Sequence, residues 1–288
     1  MDVTLFLAVI FFLLGLALGS FFNVVILRLV AEQSISGRSH CPHCGTQLKW
    51  YDNIPLLSFI WLRGRCHYCH KHISWQYPLV ELAAGLLWLV GYLVIASGSE
   101  AISYSSQGIA SSSTWLGLAM TWGGGLAMTP AGWLAVITFG IFASFLLILF
   151  VFDLRWYILP DVITLSGLVA ALALNFYLGK DWRWLVGATI LGAAWFGFQY
   201  AVSRGKWVGS GDIRLGALIG AMLASWQGLV MALFGAYLLG SVVAIPLLVL
   251  KKKGLKSELP FGTFLTLTTL TALLWGDQIW RWYILLLW

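Results

Sequence analysis

The chain has 288 residues, of which 60% are hydrophobic and only 10% are charged, and its formal net charge is +6. A soluble globular domain is ordinarily about 45–50% apolar and about 25% charged. The composition therefore excludes a soluble protein and predicts a polytopic membrane protein, with the lipid bilayer as its surroundings and no nucleic-acid partner. Ionisable groups near lipid are costly, so its 11 acidic residues are candidates for function.

The hydropathy pattern predicts an all-α protein with about eight transmembrane helices. The first apolar segment has no basic stretch before it and no small-residue cleavage site after it, so we expect a retained helix rather than a removed signal peptide. The sixth segment is short, and residues 276–288 either extend the eighth or lie in the interface. The predicted spans are 3–27, 77–96, 131–152, 161–178, 185–202, 213–225, 228–250 and 261–275.

Basic residues predict the orientation, because lysine and arginine stay on the cytoplasmic side. Most of the 17 basic residues fall on one side if both termini are outside. The run KKKGLK at 251–256 is typical of a topology anchor that touches anionic lipid.

Two loops are long. The outer loop 97–130 is rich in serine and glycine and lacks lysine and arginine, so we expect it to be flexible. The inner loop is the one sizeable polar segment. The expected division is a first transmembrane helix over 1–28, a polar domain over 29–76 and a transmembrane core over 77–288.

All four cysteines lie in the inner loop, as two CxxC pairs: Cys41 with Cys44, and Cys66 with Cys69. Four thiolates at such spacing predict a closed, tetrahedral zinc site that folds a small polar domain. Disulfides and a redox CxxC remain alternatives, which the reducing cytoplasm and the matched pairs disfavour. We expect the neighbouring histidines to be solvated rather than ligands: His40, His43, His67, His70 and His72.

Two acidic residues, Asp153 and Asp212, end one predicted span and begin another at the same cytoplasmic boundary. Paired carboxyls can share a proton, so that one activates water and the other hydrogen-bonds a scissile carbonyl. Helix dipoles favour the anion at Asp212 and oppose it at Asp153. Gly209 and Gly211 would permit unusual backbone conformations and close approach of a substrate. The alternative is a glycine-rich turn in which Asp212 only caps a helix.

Six ordered blocks resemble the type IV prepilin peptidase family, within the wider GxGD membrane proteases. These blocks are GSFFNVVILRL at 19–29, CPHCG with YDNIPLLSFIWLRGRCHYC within 41–69, ISWQYPLVELAAG at 73–85, FDLRWYILPD at 152–161, GSGDIRLGALIG at 209–220 and LPFGTFL at 259–265. Small departures are LPD where Ile-Pro-Asp is frequent and Arg214 where lysine is common. The long outer loop 97–130 is the clearest difference.

The resemblance implies an aspartic endopeptidase of the bacterial inner membrane. Members of the family remove a short basic leader, after glycine and usually before phenylalanine, from type IV prepilins or type II secretion pseudopilins at the cytoplasmic face. Many then methylate the new N-terminal amine with S-adenosylmethionine. The family's catalytic aspartates correspond to Asp153 and Asp212, whereas capping of the fourth span is the expected role of Asp161.

The sequence carries no glycine-rich cofactor motif on a strand–helix unit that would identify the site for S-adenosylmethionine. We expect it around the end of the first span and the inner loop, at Gly19, Asn23, Arg28 and Glu81. Asn23 and Glu81 are polar groups within apolar runs and need partners. Interhelical hydrogen bonding is the alternative role for both.

Two other classes of function compete with the peptidase. A transporter would use Asp153 and Asp212 as an intramembrane cation or proton site, and it would place them near the bilayer midplane on broken helices. A membrane scaffold that docks a partner through its zinc loop would leave the two acids unexplained.

Overall fold

The structure, a computed structural model, describes residues 3–102, 130–250 and 259–287. All elements in these ranges are helices, apart from two isolated β-bridges. This confirms the predicted all-α fold class. Most of the predicted outer loop, 103–129, and the basic run at 251–256 lie outside the described residues. The elements are α1 (Val3–Val30), a 3-10 helix (Trp50–Asn53), α2 (Leu57–Trp61), α3 (Gln76–Ile102), α4 (Pro130–Trp156), α5 (Asp161–Tyr177), α6 (Trp182–Ser203), α7 (Ser210–Leu223), α8 (Trp226–Val249) and α9 (Phe261–Leu287).

Each of the eight predicted segments contains a helix, but the prediction of eight membrane spans is not confirmed. In the described part of the chain, five helices have the length and apolarity to cross a bilayer. Helix α5 is apolar but has 17 residues, and α7 has 14. Helix α9 runs on to Leu287, so the last predicted span is extended rather than followed by a separate segment. The five spans are Val3–Val30, Gln76–Ile95, Gly132–Trp156, Trp182–Ser203 and Trp226–Val249.

The first compact unit, Met1–Val94, contains α1 and the start of α3. These helices approach so closely that a Cβ atom on Gly15 would lie 2.6 Å from the carbonyl oxygen of Ala84. A Cβ atom on Gly19 would lie 2.7 Å from the Cα atom of Glu81. Without a hydrophobic driving force in lipid, helices associate through such small residues.

The second compact unit, Ile95–Trp288, has α7 as its most buried helix. Every residue from Leu215 to Leu223 is buried, as expected for a helix that is apolar on all sides. Helix α6 packs against α7 most extensively, and α5 also packs against it. Gly216 and Gly220 contact the backbone of α6 so closely that no side chain would fit at either position.

The C-terminal end of α7 is held by Asn175 of α5. The side-chain amide of Asn175 donates to the carbonyl oxygens of Ala221, at 2.6 Å, and Met222, at 3.3 Å. A helix leaves its last carbonyls without partners of its own, and a buried end must find them elsewhere. This contact fixes α7 along its axis and therefore fixes the height of its first turn, where Asp212 lies.

Candidate active site and metal centre

Asp153 lies in the last turn of α4, and its buried carboxylate faces the N-terminus of α9. The backbone N–H of Thr263 donates to Oδ2 at 2.6 Å, and the backbone of Gly262 also hydrogen-bonds the carboxylate. N–H groups at a helix N-terminus favour an anion. The C-terminal end of α4 opposes the anion, whereas the N-terminus of α9 favours it, a contribution that the sequence did not reveal.

Only glycine fits at position 262, because the carboxylate of Asp153 lies directly against it. A Cβ atom on Gly262 would lie 2.9 Å from both Cγ and Oδ2 of the carboxylate, closer than real Cβ atoms come. The PFG stretch at 260–262 was part of the family resemblance, but sequence reasoning gave it no role. Its role in the structure is to bring backbone donors against Asp153.

Asp212 lies in the first turn of α7, where Oδ2 accepts a hydrogen bond from the backbone N–H of Gly209 at 3.0 Å. The capping contact considered as an alternative is therefore present. Gly209 has an ordinary φ of −78°, so the prediction of an unusual backbone is wrong at that position. At Gly211 a Cβ atom would lie 3.3 Å from the Cβ atom of Leu159, so a side chain of the protein itself approaches closely there, and approach of a substrate stays a prediction.

The carboxylates of Asp153, at the end of α4, and Asp212, at the start of α7, lie near enough for their charges to interact, although they are far apart in the sequence. Among the ion pairs of the described ranges, neither Asp153 nor Asp212 takes part. Both acids lie at helix ends rather than in the middle of a broken span, which disfavours the transporter.

Asp161 is the first residue of α5 and forms an ion pair with Arg214 in the first turn of α7. Pro160 occupies the N-cap position and makes no side-chain capping bond, so Asp161 links two helix starts as well as placing a negative charge at its own. Both side chains are partly exposed. The pair positions the turn that carries Asp212.

The four cysteines of the inner loop form one cluster in which all Sγ atoms lie within 4.8 Å of one another. The Sγ atoms of Cys41 and Cys69 are 3.9 Å apart. A tetrahedral site with Zn–S bonds of about 2.3 Å requires S···S distances of about 3.8 Å. The geometry and the donor set therefore fit a zinc ion, and none of the four thiols is in a disulfide.

Each CxxC pair lies in a knuckle with the same backbone pattern. The N–H of Cys41 donates to the carbonyl oxygen of Thr46, and the N–H of Cys66 donates to that of Lys71, both at 2.9 Å. Hydrogen bonds between Cys44 and the side chain and backbone of Thr46 lower the pKa of the Cys44 thiol to about 6. A thiolate is the form that binds a metal ion.

Asp52 organises the inner loop and was missed by sequence reasoning. Only 3% of its side chain is exposed, and its carboxylate accepts hydrogen bonds from the backbone N–H of Lys49 at 3.0 Å and the hydroxyl of Tyr68 at 3.2 Å. Nδ1 of His67 lies 3.2 Å from it. His67 and Tyr68 belong to the second knuckle, so Asp52 attaches the 3-10 helix to it. The sequence signal that could have identified Asp52 is that this loop contains few acidic residues.

Two of the predicted methyl-donor residues lie in the interface between α1 and α3. The amide of Asn23 donates to the carbonyl oxygen of Tyr77 at 3.0 Å. The buried carboxylate of Glu81 accepts the N–H of Leu56 at 2.9 Å and a hydrogen bond from Ser20. Both therefore have the interhelical or loop partners considered as the alternative. Oδ1 of Asn23 is buried and accepts no hydrogen bond from the described residues.

Arg28, the third predicted methyl-donor residue, lies in the last turn of α1 and is engaged with the loop that follows. Its guanidinium donates to five consecutive carbonyl oxygens over residues 34–38, at 2.6–3.3 Å. This contact shapes the loop that leads to the first knuckle.

Comparison with known proteins assigns both halves of the chain. A family model described as the bacterial peptidase A24 N-terminal domain matches residues 13–95, and the type IV leader peptidase family matches residues 140–245. The first match covers the α1–loop–α3 unit with the four cysteines, and the second covers both aspartates. No solved structure matches the chain.

Curated relatives match over most of the chain, and each is named prepilin leader peptidase/N-methyltransferase. The protein of Aeromonas hydrophila is 31% identical over 95% of this chain and 92% of its own. That of Pectobacterium carotovorum subsp. carotovorum is 34% identical over 88% of each, and that of Myxococcus xanthus is 36% identical over 84% of this chain and 63% of its own. The chain therefore belongs to the type IV leader peptidase family and is a multi-pass membrane enzyme of that family.

Proposed function

We propose that this enzyme is an aspartic endopeptidase that removes the short basic leader of type IV prepilins or type II secretion pseudopilins, and that it then methylates the new N-terminal amine with S-adenosylmethionine. The proposal rests on the position of Asp153 and Asp212 at the ends of two helices of one compact unit, where their charges interact. The names of the curated relatives support the substrate class and both activities. We place the reaction at the cytoplasmic face of the inner membrane, with both termini in the periplasm, because basic residues concentrate on one side when all eight predicted segments cross the bilayer.

The dyad hydrolyses the peptide bond with one proton shared between two carboxyls. The ionised carboxylate takes a proton from water, whose oxygen adds to the scissile carbonyl carbon, while the protonated carboxyl donates to the carbonyl oxygen. The C–N bond then breaks as the leaving amine takes up a proton. Backbone donors hold each carboxylate, Thr263 at Asp153 and Gly209 at Asp212, so the pair titrates as a unit and neither is assigned as the base.

The position of the dyad suits a substrate with a basic leader and an apolar segment. Two acids without basic ion-pair partners among the described residues attract a basic leader. Their position at helix ends places them where the leader of the substrate leaves the bilayer. Peptide hydrolysis requires water, so the dyad opens to the aqueous side.

Replacement of either aspartate by asparagine removes a carboxyl that the reaction needs. We expect Asp153→Asn and Asp212→Asn each to lower the cleavage rate about a thousandfold or more. The measurement is cleavage of a prepilin peptide containing its leader and apolar segment by purified protein. The control is Asp181→Asn, which keeps the N-cap contact with the N–H of Arg183 and should cleave normally. Normal cleavage by either the Asp153→Asn or the Asp212→Asn variant would contradict the aspartic mechanism.

A methyl group at residue 262 would displace the Asp153 carboxylate. We expect Gly262→Ala to lower kcat about a hundredfold, because the new Cβ would meet Cγ at 2.9 Å. The matched control is Gly240→Ala, where the nearest atom to a Cβ lies 3.7 Å away, an ordinary contact. Melting temperature measured for both variants separates misfolding from misplacement. A folded Gly262→Ala enzyme with normal kcat would show that Asp153 is not held as described.

The tetracysteine cluster, within a polar domain over 29–76, holds a structural zinc ion in this proposal. We expect about one zinc per chain, and we expect Cys41→Ser or Cys66→Ser to lose the metal, because these two ligands are buried. Metal analysis and protease sensitivity of the loop are the measurements. His72→Ala is the control and should retain zinc. Zinc-free protein with four reactive thiols would contradict the assignment.

The methyl donor binds in this proposal around Asn23 and Glu81, beside the loop that Arg28 shapes. The unpartnered Oδ1 of Asn23 supports a polar ligand there. We expect Asn23→Ala and Glu81→Gln to weaken binding of labelled S-adenosylmethionine about tenfold, while Asn53→Ala, an exposed control, binds normally. Asp153→Asn should also bind normally. Unchanged binding in both site variants would move the site elsewhere.

A further inference from the structure

Helix α2, in the loop between α1 and α3, presents one strongly apolar face to its surroundings. Leu57, Ile60 and Trp61 are 66%, 70% and 88% exposed. Their spacing of three and four residues places them on the same side of the helix. The other side carries Phe59, whose ring packs 5.1 Å from that of Trp75. We refer to Leu57, Ile60 and Trp61 as the α2 face.

Two contacts fix α2 beside the start of α3, where the candidate membrane span begins. Trp75 directly precedes Gln76, the first residue of the membrane span Gln76–Ile95, so its contact with Phe59 holds α2 beside that boundary. Leu56, the N-cap of α2, donates its N–H to Glu81 at 2.9 Å. Glu81 lies in the second turn of α3, about 7 Å of helix rise beyond Gln76. Helix α2 therefore begins level with the first two turns of this candidate span.

The charge around α2 matches an anionic surface. Arg63 and Arg65 follow the helix directly. The whole loop over 31–75 contains Arg38, Lys49, Arg63, Arg65 and Lys71 against Glu32 and Asp52. Tryptophan prefers the interface between headgroups and acyl chains, and basic residues beside it are attracted to anionic headgroups.

We propose that the α2 face inserts into the interfacial layer of the bilayer leaflet from which α1 and α3 emerge, with Arg63 and Arg65 against anionic headgroups. The tetracysteine domain then rests on the membrane surface. Lipid is the occupant because a short apolar helix at this depth, tied to Glu81 on one side and Trp75 on the other, meets headgroups before any aqueous partner. This inference does not depend on the proposed catalytic mechanism.

Photo-crosslinking in the full-length protein tests this surface. The photoreactive residue p-benzoylphenylalanine is placed at Trp61 in enzyme reconstituted into vesicles of phosphatidylcholine and phosphatidylglycerol, and lipid adducts are measured by mass spectrometry. The positive control is the same residue at Leu13, which is exposed on the membrane helix α1, and the negative control is Gln47, an exposed residue of the first knuckle. Zinc content confirms that each variant is folded.

We expect the lipid adduct at Trp61 to approach that at Leu13 and to exceed that at Gln47 roughly tenfold, because photo-insertion needs direct contact with lipid. Replacing Arg63 and Arg65 together by glutamine should lower the yield of phosphatidylglycerol adducts severalfold. Three results would overturn the proposal: no lipid adduct at Trp61 while Leu13 reacts, equal adducts at Trp61 and Gln47, or an adduct from Trp61 to another protein chain in place of lipid.

Discussion

The second unit depends on the hydrogen bond of 2.6 Å from the backbone N–H of Thr263 to the carboxylate of Asp153. A buried carboxylate next to lipid is tolerated only when donors satisfy it. The N-terminus of α9 supplies them, and Gly262 is what lets the backbone approach. One contact therefore joins the end of α4 to the start of α9 and stabilises the buried acid that the proposed mechanism uses.

The other acid depends on a helix that lipid does not surround. Helix α7 is short, and its second half is wholly buried against neighbouring helices through glycine contacts with α6. Asn175 holds one end of it, and the ion pair of Asp161 with Arg214 holds the other. Asp212 lies two residues before Arg214, in the turn that the second restraint holds, so its height is set by packing rather than by the bilayer. Such positioning is what a two-carboxyl reaction requires.

In the first unit, a short stretch of loop residues connects the cysteine knuckles with helices α1 and α3. Asp52 attaches the 3-10 helix to the second knuckle, and Glu81 receives the N–H of Leu56 a few residues later. Leu56 has a φ of +59°, a conformation that costs free energy in a residue other than glycine and persists only where its surroundings impose it. The cysteine cluster and the α1–α3 pair are therefore linked through one short segment.

The sequence by itself determined the all-α membrane class, the tetracysteine cluster, the family resemblance and the choice of Asp153 and Asp212, because composition, CxxC spacing and acids at the ends of apolar runs are local signals. Tertiary structure decided that Asp153 meets Thr263, 110 positions away, that Arg28 is engaged with its own loop, and that Asp52 matters. It also showed that α7 is short and that its second half is buried against other helices, since hydropathy cannot distinguish an apolar helix that faces lipid from one that faces other helices. Such contacts depend on which helix ends come together in space, and no local pattern in the sequence records that.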